Sequence, residues 1–195
     1  PDNRRIVIGW LDMWESPMPE QQDGWAGMLS LPRELSLVDG RVRMKPAAEV
    51  TALRGSYYPT PVRCLNNQNV FVAADADAVE VQLAWDLSAS TAEQFGIALG
   101  DGLRIYVDDQ AGRLVVERRY PEYSLEGTRS IPLPADSVLS LRIFIDRSSV
   151  EVFVNDGDAC LSSRIYPQPG ERDISLFANQ GVASLYDAGY WSLDK

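Results

Sequence analysis

Close pairs of carboxylates are the side chains in this sequence best suited to chemistry, because the chain contains no histidine. Without imidazole there is no Ser-His-Asp triad and no His-ligated metal, so acid–base work would fall to Asp and Glu. The candidate pairs are Asp75 with Asp77, Asp108 with Asp109, and Asp156 with Asp158. All sit in turn-like segments, where Asp is favoured because its side chain bonds the local backbone; each is expected to be a solvated turn residue. Asn155-Asp156-Gly157-Asp158 offers oxygen ligands to calcium but lacks the distal Glu of an EF-hand loop. Ser148-Ser149 has no base nearby in sequence, and no Gly-x-Ser-x-Gly elbow occurs. Cys64 and Cys160 lie in apolar strand patterns and are expected to be buried, inert thiols. Two cysteines are too few for a disulfide framework or a four-Cys zinc site, and no phosphate-binding glycine loop is present. No metal and no cofactor is expected.

Aromatic residues remain. Trp10, Trp14, Trp25, Tyr57, Tyr58 and Trp191 have flat faces that suit the C–H faces of sugar rings, against the alternative of core packing. Core packing is the commoner role for any one Trp; Trp10 and Trp14 fall on one face of an extended segment, which raises the binding reading and leaves both open.

The elements that must position these groups are strands. Val79, Val81, Leu83 and Trp85 alternate with Glu80, Gln82, Ala84 and Asp86, and Leu139 to Ile145 and Val150 to Val154 repeat the pattern. Residues 95–99, 103–107, 114–117, 160–166, 174–177, 182–186 and 190–193 read as further strands. Asp39-Gly40, Gly100-Asp101-Gly102 and Asn155-Asp156-Gly157 supply the turns between them. Many short strands without helical periodicity predict an all-β, antiparallel two-sheet sandwich. One short helix is expected over residues 46–53, with Pro at its start and Gly55 beyond its end.

Residues 1–38 differ in character. They hold three of the five Trp, and their expected strands, residues 6–11 and 25–31, are apolar on both faces, as strands covered on both sides are. A boundary is therefore expected at the polar turn 38–41, giving segments 1–38 and 39–195. The chain opens in mid-strand with no signal peptide, which reads as a piece of a longer protein. Eighteen Lys+Arg against 28 Asp+Glu give a net charge of −10, which argues against nucleic acid or an anionic membrane as partner. No apolar run approaches the roughly 20 residues of a membrane helix.

Two motifs carry a resemblance. Gly9-Trp10-Leu11-Asp12-Met13-Trp14 followed by Gly24-Trp25-Ala26-Gly27-Met28-Leu29-Ser30-Leu31-Pro32-Arg33-Glu34-Leu35 resembles the close of the catalytic propeller in glycoside hydrolase family 32. Asp146-Arg147-Ser148-Ser149-Val150-Glu151-Val152-Phe153, with Ser163-Arg164-Ile165-Tyr166-Pro167, resembles the signature of that family's C-terminal β-sandwich. Residues 13–19 look most like the bacterial sucrose-6-phosphate hydrolase branch.

The resemblance implies a five-bladed propeller followed by a sandwich, with residues 1–38 belonging to the last blade. It implies retaining hydrolysis of a β-fructofuranosyl bond by an Asp nucleophile and a Glu acid/base. The family's motifs for those groups are Asn-Asp-Pro, Arg-Asp-Pro and Glu-Cys. Here Asn155-Asp156 is followed by Gly157, Arg172-Asp173 by Ile174, and the cysteines are preceded by Arg63 and Ala159. No catalytic residue is therefore expected in this chain. The one position carried over is Trp10, whose counterpart lines the propeller's sugar pocket.

The partners so implied are the protein's own N-terminal propeller and a sugar, sucrose or sucrose 6-phosphate, with a homodimer through the uncovered apolar strands. Two cysteines with no evident partner fit a reducing compartment, and the resemblance implies the bacterial cytoplasm. The alternative is a stand-alone carbohydrate-binding or dimerisation sandwich, with Tyr57, Tyr58 and Tyr123 as its aromatics.

Overall fold

A computed structural model of the chain describes residues 3–12 and 15–193; Met13 and Trp14 lie outside the described residues. In chain order the strands are β1 (Arg5–Val7), β2 (Arg33–Val38), β3 (Arg41–Pro46), β4 (Arg54–Pro59), β5 (Cys64–Asn66), β6 (Asn69–Ala73), β7 (Val79–Asp86) and β8 (Gln94–Leu99). They continue as β9 (Leu103–Asp108), β10 (Arg113–Tyr120), β11 (Leu125–Pro132), β12 (Val138–Ile145), β13 (Ser149–Val154), β14 (Ala159–Arg164), β15 (Ile174–Asn179) and β16 (Val182–Leu193). Strands β1, β2 and β3 form a small antiparallel sheet. The rest make a six-stranded sheet, β11-β10-β9-β8-β15-β6, and a seven-stranded one, β14-β13-β12-β7-β16-β4 with β5 also on β16.

Period-two alternation builds the core between these two sheets. Val79, Val81, Leu83 and Trp85 of β7, Leu139 to Ile145 of β12 and Val150 to Val154 of β13 turn their apolar set inward. There they meet Phe95, Ile97, Ile105, Leu114 and Leu176 from the opposite sheet, and Trp85 meets Phe95 edge-on at 5.0 Å. The expected all-β sandwich is the observed fold. The hairpin turns take the left-handed conformation their residues favour, with φ of 49° and 74° at Asp39 and Gly40. The expected boundary at residue 38 falls at the tip of the β2–β3 hairpin, so the small sheet continues to Pro46.

Four local expectations are corrected. Residues 182–186 and 190–193 belong to a single strand, β16, with a bulge between Leu185 and Asp187. Gly189, within that strand, leaves room for the Tyr57 ring, which a Cβ would strike. The helix of residues 46–53 is reduced to a 3-10 turn over Ala48–Leu53, because Pro46 still completes β3. Cys64 is exposed, since the three-residue β5 turns Leu65 to the core and its two neighbours outward. Finally, residues 6–11 and 25–31 form only β1 and a lone bridge between Trp10 and Leu29. Their apolar side chains are not covered: Ile6, Ile8, Trp10, Trp25 and Leu29 are 45–64% exposed. Among the described residues no helix is long and apolar enough to cross a membrane.

Candidate functional site

The seven-stranded sheet buries part of its outer face as well as its inner one, most fully at β13, where every residue is buried. Alternation that sends Val150, Val152 and Val154 inward sends Glu151 and Phe153 outward, onto residues that precede the sandwich. A carboxylate in that position must find a partner, because an isolated buried charge is costly. Glu151, 4% exposed, finds two. One oxygen accepts the Leu31 backbone N–H at 2.6 Å, and the other is ion-paired to the Arg33 guanidinium. Arg33 also donates to Ser162 Oγ at 2.6 Å and to Cys160 Sγ at 3.0 Å, and lies over the Phe153 ring. Around this polar centre Ala47, Val50, Phe144 and Phe153 form a second apolar cluster, joined by Leu31 and Leu193.

A second buried link lies at the far end of β14. Arg164, 4% exposed, ion-pairs with Glu20 at 2.6 Å and donates to the carbonyls of Ser148 (2.8 Å) and Leu11 (3.2 Å). Tyr166 donates its hydroxyl to the other Glu20 oxygen at 2.7 Å. Glu20 sits in the 3-10 turn Pro19–Asp23, preceded by Met18, whose side chain joins the main sandwich core. Burial pulls the Glu20 carboxyl upward, but the Tyr166 and Arg164 bonds outweigh it and hold it below the ordinary carboxylate range.

Glu80, on the same outer face and fully buried, completes the pattern. Arg54 grips it in two bonds of 2.6 and 2.7 Å while lying over the Trp191 ring, and Arg142 donates a third at 2.8 Å. Burial opposes ionisation of Glu80 too, and again the two guanidinium groups win, leaving its carboxyl below the usual range. A group whose folded pKa is depressed stabilises the fold above its unfolded pKa of about 4.3 and loses that contribution as pH falls through the folded value. The melting temperature of this chain is therefore expected to hold between about pH 7 and 5 and to fall below about pH 4. Glu80→Gln should shrink the fall. Melting curves that stay level down to about pH 2.5 would contradict the assignment.

The sequence-predicted groups lie elsewhere and are not brought together. Asp77 is bonded to Arg147, and Asp156 and Asp158 pair with Lys45 (2.8 Å) and Arg43 (2.9 Å) of β3. They are therefore cross-links from the small sheet, not merely solvated turns, though exposed pairs of this kind contribute little, about 0–1 kcal/mol. Among the described residues no group of three Cys, Asp or Glu could hold a metal. Ser148 accepts from Arg164. Burial pushes the Cys160 thiol up, with Arg33 only partly offsetting it, so it stays protonated at neutral pH. Tyr57 packs tilted against Trp191 (4.4 Å) and Tyr58 stacks on Tyr190 (4.8 Å), so each ring already has an aromatic partner. Tyr123 packs beside Tyr166. Trp10 is 45% exposed and rests on the backbone of Gly27, whose φ of +75° and missing Cβ make room for the indole.

The buried arginines and glutamates are clamps, since each carboxylate is already neutralised by a guanidinium. They join the two motifs quoted above: Leu31 and Arg33 of the first are bonded to Glu151 of the second. Two family models match the chain, one on each side of residues 47–48. The N-terminal domain of glycosyl hydrolases family 32 matches residues 1–46, and the family 32 C-terminal domain matches residues 49–192. The chain is 53% identical over 192 residues to a sucrose-6-phosphate hydrolase of Escherichia coli, covering 98% of this chain and 40% of that one. It is 51% identical to the raffinose invertase of E. coli over the same shares. In fold it matches the exo-inulinase of Aspergillus awamori (TM-score 0.84, 20% identity, 99% of this chain, 41% of the other). The sucrose-6-phosphate hydrolase of Lactobacillus gasseri gives a TM-score of 0.77 at 23% identity, over 100% of this chain and 39% of the other. The chain thus spans about two-fifths of the curated relatives it matches. With its two motifs locked together across one seam and both domain models matched in order, this chain belongs to glycosyl hydrolases family 32.

Proposed function

We propose that this chain is the C-terminal part of a retaining β-fructofuranosidase acting on sucrose 6-phosphate or sucrose. Residues 1–38 supply strands of the last propeller blade, and the sandwich from residue 39 onward braces them. The observation that carries this reading is the buried seam, in which Glu151 and Arg164 hold Arg33, Leu31 and Glu20. Exposed Ile6, Ile8, Trp25 and Leu29 support it as well, since they form an apolar face for the rest of the propeller. The same face is our basis for a homodimer of this chain when it stands alone. The names of the relatives, hydrolases of sucrose 6-phosphate and an invertase, support the substrate class. The bacterial cytoplasm is the compartment that fits a sugar-phosphate substrate. Catalytic carboxylates belong to the preceding segment, and this chain supplies the support.

Trp10 is the residue we place at the sugar pocket. In the longer protein, Trp10→Ala is expected to lower kcat/KM for the fructoside by about tenfold or more, a loss of about 1.4 kcal/mol in transition-state binding, while the melting temperature stays put. Steady-state kinetics with sucrose and sucrose 6-phosphate test this, and an unchanged kcat/KM on both would remove Trp10 from the pocket.

A further inference from the structure

The outer face of the six-stranded sheet carries a second feature that the brace does not use. Registered rows cross this sheet from β10 to β6. One runs Glu117, Arg104, Ala98, Ser175, Phe71, and the next Val115, Tyr106, Gly96, Phe177, Asn69. The middle of the first row is occupied by alanine and serine, so the sheet is hollow there. A groove of about 1090 Å3 results. That is at or above the size of pockets that take drug-sized molecules, about 300–1,000 Å3, and exceeds what one sugar ring needs.

Arg104 stands in this groove. Its guanidinium lies 4.8 Å from the Tyr106 ring centre and 4.4 Å from that of Phe177. Glu117 sits directly across from Arg104 on β10, and burial, together with its charge, pushes the neighbouring Tyr106 hydroxyl toward its neutral form. Arg104 is thus held by stacking, with its planar donors pre-oriented. Asn69 and Asn179 contribute amides from the neighbouring strands, able both to donate and to accept. At the other end Asp101, Glu122 and Glu171 outnumber Arg119 and Arg104, so the groove has no positive excess with which to hold an anion. Its two buried rings are capped by Arg104, so it offers no open apolar pocket for a peptide anchor. Alternating planar donors and acceptors over a shallow floor fit a chain of hydroxyls.

We propose that this groove binds a neutral oligosaccharide of a few units, separately from the propeller's pocket and independently of the reading above. The test is a titration of the 15N-labelled chain with two neutral trisaccharides, 1-kestose and raffinose, followed by amide and Arg side-chain shifts. Saturable shifts at Ala98, Arg104 Nε and Ser175 are expected with at least one of them. Affinity should weaken about tenfold or more in Arg104→Ala and in Ser175→Phe, the second filling the floor while leaving Arg104 in place. No shift with either sugar would overturn the proposal. So would shifts confined to Trp10 and Trp25, the same shifts produced by sulfate, or binding untouched in a folded Ser175→Phe chain.

Discussion

Arg164→Ala should destabilise this chain by about 3–5 kcal/mol, the usual cost of stripping one partner from a buried ion pair. Glu20 and Arg164 have side chains only 4% and 3% exposed, so water cannot replace the lost guanidinium. The substitution also strands the Leu11 and Ser148 carbonyls that Arg164 bridges. For a chain of this length each kcal/mol corresponds to about 2–4 °C in melting temperature, so the loss is large enough for simple thermal melts. A control separates charge from packing. Arg164→Met with Glu20→Gln removes both charges, and the pair should be closer to wild type than either single variant. Equal and additive losses across that cycle would show that the two residues do not act together.

Glu151→Ala is expected to have an effect of similar size, about 3 kcal/mol or more, but with a different signature. It leaves Arg33 uncompensated at 13% side-chain exposure and the Leu31 N–H without its acceptor. The sandwich core does not pass through Glu151, whereas the first segment is held by it. Amide exchange should therefore quicken at Leu31, Ser30 and Leu11 far more than at Ile143 or Val152. Uniform acceleration over both regions would mean that the seam and the sandwich unfold as one unit, and the separable brace would be wrong.

How much of this was legible in the sequence depends on distance along the chain. Strands β7, β12 and β13 were readable because alternation is local, and their apolar sets do face the core. The edge strand β11 was not, since Glu126 to Arg129 face solvent and leave no period to read. Residues 182–186 and 190–193 read as two strands, whereas β16 runs through them with a bulge, and Gly189 makes room for the Tyr57 ring. The seam was hidden for another reason. Its bonds join residues 118 to 153 positions apart, which no local pattern reports. A signal was present all the same in β13, where Glu151 is the one charge in an otherwise apolar strand and a strand apolar on both faces must meet something on each; Glu80, in a row with Gln82 and Asp86, read as a solvent-facing residue. Arg54, Arg142 and Glu20 had no such mark. Trp10 came from its aromatic type, its face shared with Trp14 and the motif, and the structure leaves its indole half exposed over Gly27.

The most direct measurement of the bracing role is a complementation assay. The propeller segment that we propose precedes this chain would be produced separately and mixed with it, and release of fructose from sucrose 6-phosphate followed. Neither part alone should show significant turnover, and the mixture should recover activity that Glu151→Ala weakens. Hydrolysis by this chain alone, or a propeller segment fully active without it, would contradict the account.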